Sequence, residues 1–153
     1  MLWRKRGRGK HYQASTMHMI FGGNSGSAKT TGARLFAGIA KEKGILKSGA
    51  FVECGGMDLV GLGCEYAIPK AFRAAKGGVL FIDEAYSLQG EIAITTLLRE
   101  MENHREDCIV IFAGYPEPMQ GFLDRNLGMR SRIVFQVKFE DYYSQNFPAG
   151  RNA

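Results

Sequence analysis

The chain has 153 residues and a formal net charge of +5, and its length suits a single domain. An apolar content of 45% and a charged content of 23% exclude disordered, collagen-like and disulfide-scaffold classes. Five basic side chains and no acid lie in residues 1–10, and the other 15 basic and 15 acidic residues balance. The composition therefore predicts a solvated basic arm and gives no sign of an electropositive domain surface.

Cysteine usage and apolar run length bear on cellular location. The three cysteines lie too far apart to form a C-x-x-C pair, and no apolar segment follows the basic N-terminus as in a signal peptide. The longest apolar runs have strand length, far below the roughly 20 residues of a membrane helix. We therefore expect a cytoplasmic protein without a membrane segment. The histidines and cysteines show no metal-ligand spacing, and His18, inside an apolar run, is predicted to be a core residue.

Apolar patterning predicts strands that alternate with helices. Strands are predicted at residues 17–21, 50–54, 79–82, 108–113 and 133–139. Helices are predicted at residues 29–43, 69–76, 91–103 and around 118–124. In the first helix we expect Leu35, Phe36, Ile39 and Ala40 to share the buried face, and in the second we expect Pro69 to lie in the first turn.

This alternation specifies an α/β sandwich of three layers around a five-stranded parallel sheet. The predicted division is a basic arm at 1–16, a folded core at 17–143 and a tail at 144–153. No internal repeat interrupts it.

A glycine-rich segment at residues 23–30, called the phosphate loop below, lies between the first strand and the first helix. It matches G-x-x-x-x-G-K-[ST] at all but one fixed position. Small residues let backbone N–H groups curl around phosphates, and the helix N-terminus adds its positive dipole end. Lys29 is predicted to reach the β- and γ-phosphates of a nucleotide, and the Thr30 hydroxyl is predicted to bind Mg²⁺. The predicted nucleotide contacts of this segment are Gly23, Asn24, Ser25, Gly26, Ser27, Ala28, Lys29, Thr30 and Thr31.

The departure from the motif is Ala28, which stands where glycine is usual. If the position requires a positive φ, alanine there costs about 1–2 kcal/mol. The backbone N–H is retained, so we expect nucleotide binding that is weakened or unchanged. The alternative for the whole segment is a glycine- and serine-rich turn without a ligand.

A second motif places two acids at the end of an apolar strand. Asp83 follows Lys29 by 54 positions, directly after four apolar residues, and Glu84 comes next. Ligands of open parallel sheets bind at the carboxyl ends of the strands. Asp83 is predicted to hold Mg²⁺, and Glu84 is predicted to act as general base on the attacking water. Two acids at a strand end also occur simply as a solvated terminus, but that reading leaves the pairing with the phosphate loop unexplained.

Together these motifs resemble AAA+ P-loop ATPases of the stage V sporulation protein K and red-type Rubisco activase group. The resemblance covers roughly residues 17–143, and the string at 77–86 is specific to the group. The segments that carry it are residues 17–21, 51–53, 58–61, 77–88, 113–116 and 128–133.

The resemblance implies a hexameric ring that binds ATP with Mg²⁺ and remodels a client protein by pulling it through a central pore. It also implies that Arg130 or Arg132 reaches the neighbouring subunit's site as an arginine finger, and that Tyr115 senses the γ-phosphate. Without that context, the arginines read as surface residues and Tyr115 as a turn residue.

The sequence departs from the family in three places. The segment between Gly61 and Pro69, which carries the pore aromatic in the family, is about three residues shorter here, and Tyr66 is the candidate substitute. The loop after Leu88 is abbreviated. The chain also ends where the family's C-terminal helical lid begins, which predicts a more open site and weaker ring assembly.

Three functions remain open from the sequence. The first is an ATPase core with weak hydrolysis in isolation. The second is a nucleotide-binding module or fragment without turnover. The third, which the neutral folded body disfavours, is a nucleic-acid binder that uses the basic arm.

Overall fold

The computed structural model describes residues 17–24 and 28–140. Its strands are β1 (Met19–Gly22), β2 (Phe51–Gly55), β3 (Val79–Asp83), β4 (Ile109–Gly114) and β5 (Phe135–Lys138). Its helices are α1 (Lys29–Glu42), α2 (Cys64–Ala74), α3 (Glu91–Asn103), α4 (Pro116–Arg125) and α5 (Leu127–Arg130). Two 3₁₀ turns, Gly56–Leu59 and Ala85–Ser87, follow β2 and β3.

All five strands are parallel and form one sheet in the order β2-β3-β4-β1-β5. On one face, Ala33 and Ala37 of α1 pack with Phe81 and Ile111 of the sheet. On the other face, side chains of α2, α3 and α4 pack with the remaining inward residues of the strands. The predicted three-layer sandwich with a five-stranded parallel sheet is therefore confirmed.

The two central strands carry the core. Every residue from Val79 to Ile82 and from Ile109 to Ala113 is almost wholly buried, as expected of parallel strands covered on both faces. The sequence shows such strands as unbroken apolar runs, which is why these two were predicted within one residue at either end. Among the helices that the structure describes, none is long and apolar enough to cross a membrane.

The buried face of α1 differs from the prediction. Leu35 is 64% exposed and Ile39 is 46% exposed, whereas Ala33, Ala37 and Ala40 are at most 3% exposed. Small side chains let the helix axis approach the sheet closely, and the larger apolar residues turn outward. The prediction was wrong for Leu35 and Ile39 because it followed apolar periodicity, which did not distinguish the alanine face from the face that carries the larger apolar residues.

Two further elements have different bounds. Helix α2 begins at Cys64, so Pro69 lies in its interior and not in its first turn as predicted. Proline removes one helical N–H, whose acceptor would be the carbonyl of Glu65. Glu65 is exposed, so water can satisfy that carbonyl. Strand β5 is shorter than the predicted 133–139, since the N–H of Ile133 still bonds back to Arg130 in a turn.

The predicted core position of His18 is confirmed. Its side chain is buried, and its Nδ1 accepts a hydrogen bond of 3.0 Å from the N–H of Val110. The neutral ring therefore carries its proton on Nε2. Burial, and secondarily the charge of Arg132, lowers the pKa of His18 from 6.5 to about 4.

This burial predicts a loss of stability in mild acid. Above pH 6.5 the ring is neutral in both the folded and unfolded states, so the contribution of His18 is fully present. As the pH falls from 6.5 toward 4, only the unfolded state takes up the proton, and the free energy of unfolding decreases by up to about 3 kcal/mol.

Urea unfolding at intervals between pH 7.5 and 4 measures this loss. The matched variant is His18→Asn, whose side-chain oxygen can still accept from Val110 but does not titrate. We expect a visibly flatter pH dependence for the variant. Equal slopes for the two proteins would show that His18 does not couple to folding.

Candidate functional site

The carboxyl ends of the central strands bring the predicted site segments to one edge of the sheet. Gly22 at the end of β1 pairs in register with Gly114 at the end of β4. The N–H of Gly23, the first residue of the phosphate loop, bonds to the carbonyl of Gly114 at 3.1 Å. Asp83 ends β3, the strand on the other side of β4. The two sequence motifs, 54 positions apart, thus meet at this edge.

Lys29 lies within the phosphate loop. Its side-chain Nζ donates to the carbonyl of Gly23 at 2.9 Å and to the carbonyl of Asn24 at 3.0 Å, and the residue is only 9% exposed. Ser25, Gly26 and Ser27, also predicted to contact the nucleotide, lie outside the described residues. The carbonyls of Gly23 and Asn24 therefore hold the ammonium beside the start of the loop.

The backbone at Ala28 removes the concern about the missing glycine. Its φ is −90° and its ψ is 41°, so the position does not use the left-handed region. The cost tied to a positive φ therefore does not arise. The carbonyl of Ala28 accepts from the N–H of Gly32 at 2.8 Å, which starts the hydrogen-bond ladder of α1.

The predicted Mg²⁺ ligands occupy the same edge. Thr30 is the second residue of α1 and is partly buried, while Thr31 beside it is exposed. The Oδ1 of Asp83 accepts from the N–H of Glu84 at 2.9 Å, which holds the carboxylate at the strand end. A hydroxyl and a carboxylate are oxygen ligands of the kind that Mg²⁺ prefers, and the ion usually completes its shell with phosphates and water. The donor set fits the ion.

Glu84 has an unusual backbone. It is exposed, and with φ 49° and ψ 49° it is the one non-glycine residue with a positive φ in the described part of the chain. This conformation costs a non-glycine residue about 1–2 kcal/mol. Strain of this kind concentrates at functional sites, where the surrounding fold maintains it.

Two tyrosines complete the edge. Tyr115 follows β4, precedes α4 as its N-cap and is 39% exposed. Tyr86 lies in the 3₁₀ turn after Glu84 and packs partly into the core. Burial first, and then the charges of Glu84, Tyr115 and Asp83, raise the pKa of Tyr86. Tyr86 was not predicted as a site residue, although it is part of the string at 77–88 that carries the family resemblance.

Arg130 and Arg132 lie away from this edge of the sheet. Arg130 pairs with Asp124 at 3.0 Å, and Nη1 of Arg132 donates to the carbonyl of Gly128 at 2.8 Å. Both precede β5, which is parallel to β1, so they lie toward the edge opposite the phosphate loop. The charge of Arg132 acts on His18, which stands before β1 at that same edge. A strand of four residues separates the two edges by roughly 10 Å or more.

The segment after β2 presents exposed apolar side chains. Met57 is 67% exposed, Leu62 is fully exposed and Tyr66, in the first turn of α2, is 68% exposed. We refer to these three residues as the apolar patch. Glycines with positive φ, Gly61 and Gly63, flank Leu62 and form the turn that carries it.

Comparisons with known proteins identify the family of the chain. Residues 19–140 match the profile of the ATPase family associated with various cellular activities (AAA). The chain is 42% identical over 145 residues to Protein CbbX of Cereibacter sphaeroides, covering 88% of this chain and 47% of that protein. It is 42% identical over 137 residues to the chloroplastic ribulose bisphosphate carboxylase/oxygenase activase of Cyanidioschyzon merolae, covering 82% and 47%. It is 40% identical over 136 residues to stage V sporulation protein K of Bacillus subtilis, covering 82% and 42%.

Solved structures show the same fold. A RuvB variant of Thermotoga maritima superposes with a TM-score of 0.59 at 26% identity, covering 80% of this chain and 37% of that one. The P-loop NTPase domain of a sigma-54 activator from E. coli superposes at 0.57 with 14% identity, covering 90% and 99%.

The chain spans less than half the length of the curated relatives named above. The family profile nevertheless covers the sheet, the phosphate loop, the acidic pair and both arginines. The fold, the motifs and the relatives agree that the chain is a member of the ATPase family associated with various cellular activities (AAA).

Proposed function

We propose that this chain binds ATP with Mg²⁺ and hydrolyses it, and that hydrolysis drives the remodelling of a protein client. The observation that carries the proposal is the meeting of Lys29, inside its loop, with the Asp83–Glu84 pair at one edge of the sheet. Such an edge brings phosphate-binding groups and a base within reach of one ligand.

Binding would begin with an exchange of partners at Lys29. Its ammonium now bonds two loop carbonyls, and it would pass to the β- and γ-phosphate oxygens when ATP enters. The N-terminus of α1 adds its dipole to the same phosphates. Thr30 and Asp83 would hold Mg²⁺, which when bound draws charge from the phosphate oxygens.

Hydrolysis needs a base beside the γ-phosphate. Glu84 would accept a proton from the attacking water, and its exposed position leaves room for that water. Tyr115, at the end of the adjacent strand β4, would contact the γ-phosphate as the sensor.

An arginine would have to come from a second copy of the chain. Arg130 and Arg132 lie toward the edge of the sheet opposite Lys29, so neither is placed to serve the phosphate loop of its own chain. A neighbouring subunit in a ring would supply one of them. This geometry supports the self-association that the family resemblance implies.

The apolar patch is our candidate for the client contact. Met57 and Leu62 lie on the segment that joins β2 to α2, Tyr66 lies in the first turn of α2, and all three side chains are mostly exposed. Relatives include a protein named as an activase of ribulose bisphosphate carboxylase/oxygenase, which supports a protein as the client. The basic arm, the alternative nucleic-acid contact, lies outside the described residues.

Replacing Lys29 with alanine should weaken ATP binding about 100-fold. The side chain offers charge-assisted hydrogen bonds to two phosphates, and their loss amounts to about 3 kcal/mol. Calorimetric titration with ATP and Mg²⁺ measures the change. Lys41→Ala, an exposed lysine in the last turn of the same helix, is the matched control and should bind like the parent.

The first experiment on the proposal as a whole is ATP hydrolysis by the purified chain with Mg²⁺ over a wide range of protein concentration. Turnover per subunit that rises with concentration supports a site completed by a second copy. Binding without turnover at any concentration would instead identify a nucleotide-binding module. If ATP fails to bind, the proposal is wrong at its first step.

A further inference from the structure

Gly114 occupies the junction between the parts of the site. It ends β4, is buried and pairs with Gly22. Its carbonyl holds the N–H of Gly23 at the start of the phosphate loop. The backbone of Gly114 is therefore tied to the segment that would hold the phosphates.

The space beside Gly114 is filled by two side chains. A Cβ added at this position would lie 2.8 Å from the Sδ and 3.0 Å from the Cγ of Met119, and 3.2 Å from the Cδ2 of Tyr86. Ordinary carbon contacts are about 3.5–4.0 Å. Met119 is only 2% exposed, so its sulfur has little room to move away. The ring of Tyr86 therefore packs against the backbone of β4 because residue 114 has no side chain.

A short and stiff connection joins the Tyr86 ring to Glu84. The two residues are separated only by Ala85, within a 3₁₀ turn closed by the Ser87 N–H donating to the Glu84 carbonyl at 2.9 Å. Glu84 itself holds the strained left-handed conformation. Because only Ala85 separates the two residues, a displacement of the Tyr86 backbone would also move Glu84.

We propose that Gly114 is a positioning residue, which seats the Tyr86 ring against β4 and thereby fixes Glu84 relative to the phosphate loop. Gly114 is well suited to this role because it adjoins both the phosphate loop and Tyr86. Its carbonyl accepts a hydrogen bond from the N–H of Gly23, and its lack of a side chain leaves room for the ring of Tyr86. This inference rests on the proposed function, since it assigns a partner to the predicted base.

The test is Gly114→Ala in the full chain. The added methyl crowds Met119 most and the Tyr86 ring next, and because Met119 is buried we expect the ring to move outward, while the hydrogen bond from Gly23 to the strand is retained. We expect kcat to fall about 10-fold, given that a misplacement of about 1 Å can cost 100-fold, with the Kd for ATP within about twofold of the parent. In ¹⁵N NMR spectra the amide signal of Glu84 should move.

Gly38→Ala is the matched control. Gly38 lies in α1 and an added Cβ would meet no atom within 4 Å, so kcat and the amide signal of Glu84 should remain those of the parent. If Gly114→Ala shifts the Glu84 signal no more than this control does, the inference is overturned. The NMR comparison does not depend on turnover, so an inactive parent chain refutes the proposed function without deciding this point.

Tyr86→Ala provides a second route if the glycine variant does not fold. Removal of the partly exposed ring should lower kcat by a similar factor while ATP affinity is retained. In the double variant the methyl at position 114 still meets Met119 but no longer meets the ring, so it should lower kcat less than it does in the parent chain. Effects that multiply in the double variant would show that the two residues act separately.

Discussion

Replacing Glu84 with glutamine should abolish ATP turnover and leave ATP binding intact. Glutamine has nearly the same shape, but it cannot accept a proton from the attacking water. General-base catalysis contributes about 10²- to 10⁴-fold, so kcat should fall by that factor. Lys29, Thr30 and Asp83 are untouched by the change, and these are the residues predicted to contact the phosphates and Mg²⁺.

The measurement pairs hydrolysis with titration. Steady-state phosphate release gives kcat, and calorimetry with ATP and Mg²⁺ gives the affinity. Glu42→Gln, at the exposed end of α1, controls for the loss of one negative charge. A Glu84→Gln variant that hydrolyses ATP at the parent rate would remove Glu84 from the base position, and a variant that no longer binds would assign it to binding instead.

The central strands could be predicted because a parallel strand covered on both faces is an unbroken apolar run. Residues 79–82 and 108–113 show this pattern, and the structure places both in the middle of the sheet. The bounds of α1 and α3 were predicted within one residue, but the buried face of α1 was not. Leu35 was expected inside and is exposed, because the approach of a helix to a sheet depends on the size of the side chains between them. Hydrophobicity alone does not contain that information.

Some residues of the candidate site could be predicted from the sequence, and others could not. Lys29, Asp83 and Glu84 belong to local motifs, so spacing along the chain was enough to find them. Tyr86 and Gly114 depend on contacts between β4 and a turn that follows β3, and no local pattern marks such a contact. The negative φ of Ala28 was equally out of reach, because a motif gives residue types and the conformation depends on the neighbouring loop.

Mixing two inactive variants should restore hydrolysis if an arginine acts between subunits. A chain with both Arg130→Ala and Arg132→Ala keeps its base but cannot complete a neighbour's site, and an arginine finger contributes about 10³- to 10⁵-fold. A Glu84→Gln chain lacks the base but keeps both arginines. Where the two are neighbours in a head-to-tail assembly, one site has both groups, so random mixing at equal amounts should return about one quarter of the parent turnover.

The position of the arginines makes this experiment decisive. Arg130 pairs with Asp124 in the single chain. When its side chain reaches the site of a neighbouring subunit, the guanidinium would exchange this carboxylate for a phosphate. In the control, the double arginine variant is mixed with a chain that carries Glu84→Gln together with both arginine substitutions. This mixture should stay inactive, because no subunit supplies the cation. Sedimentation shows whether the mixed assemblies form. If they form and hydrolysis is not restored, neither arginine completes the neighbouring site. If the arginine variant alone keeps the parent turnover, the site needs no cation from a second chain.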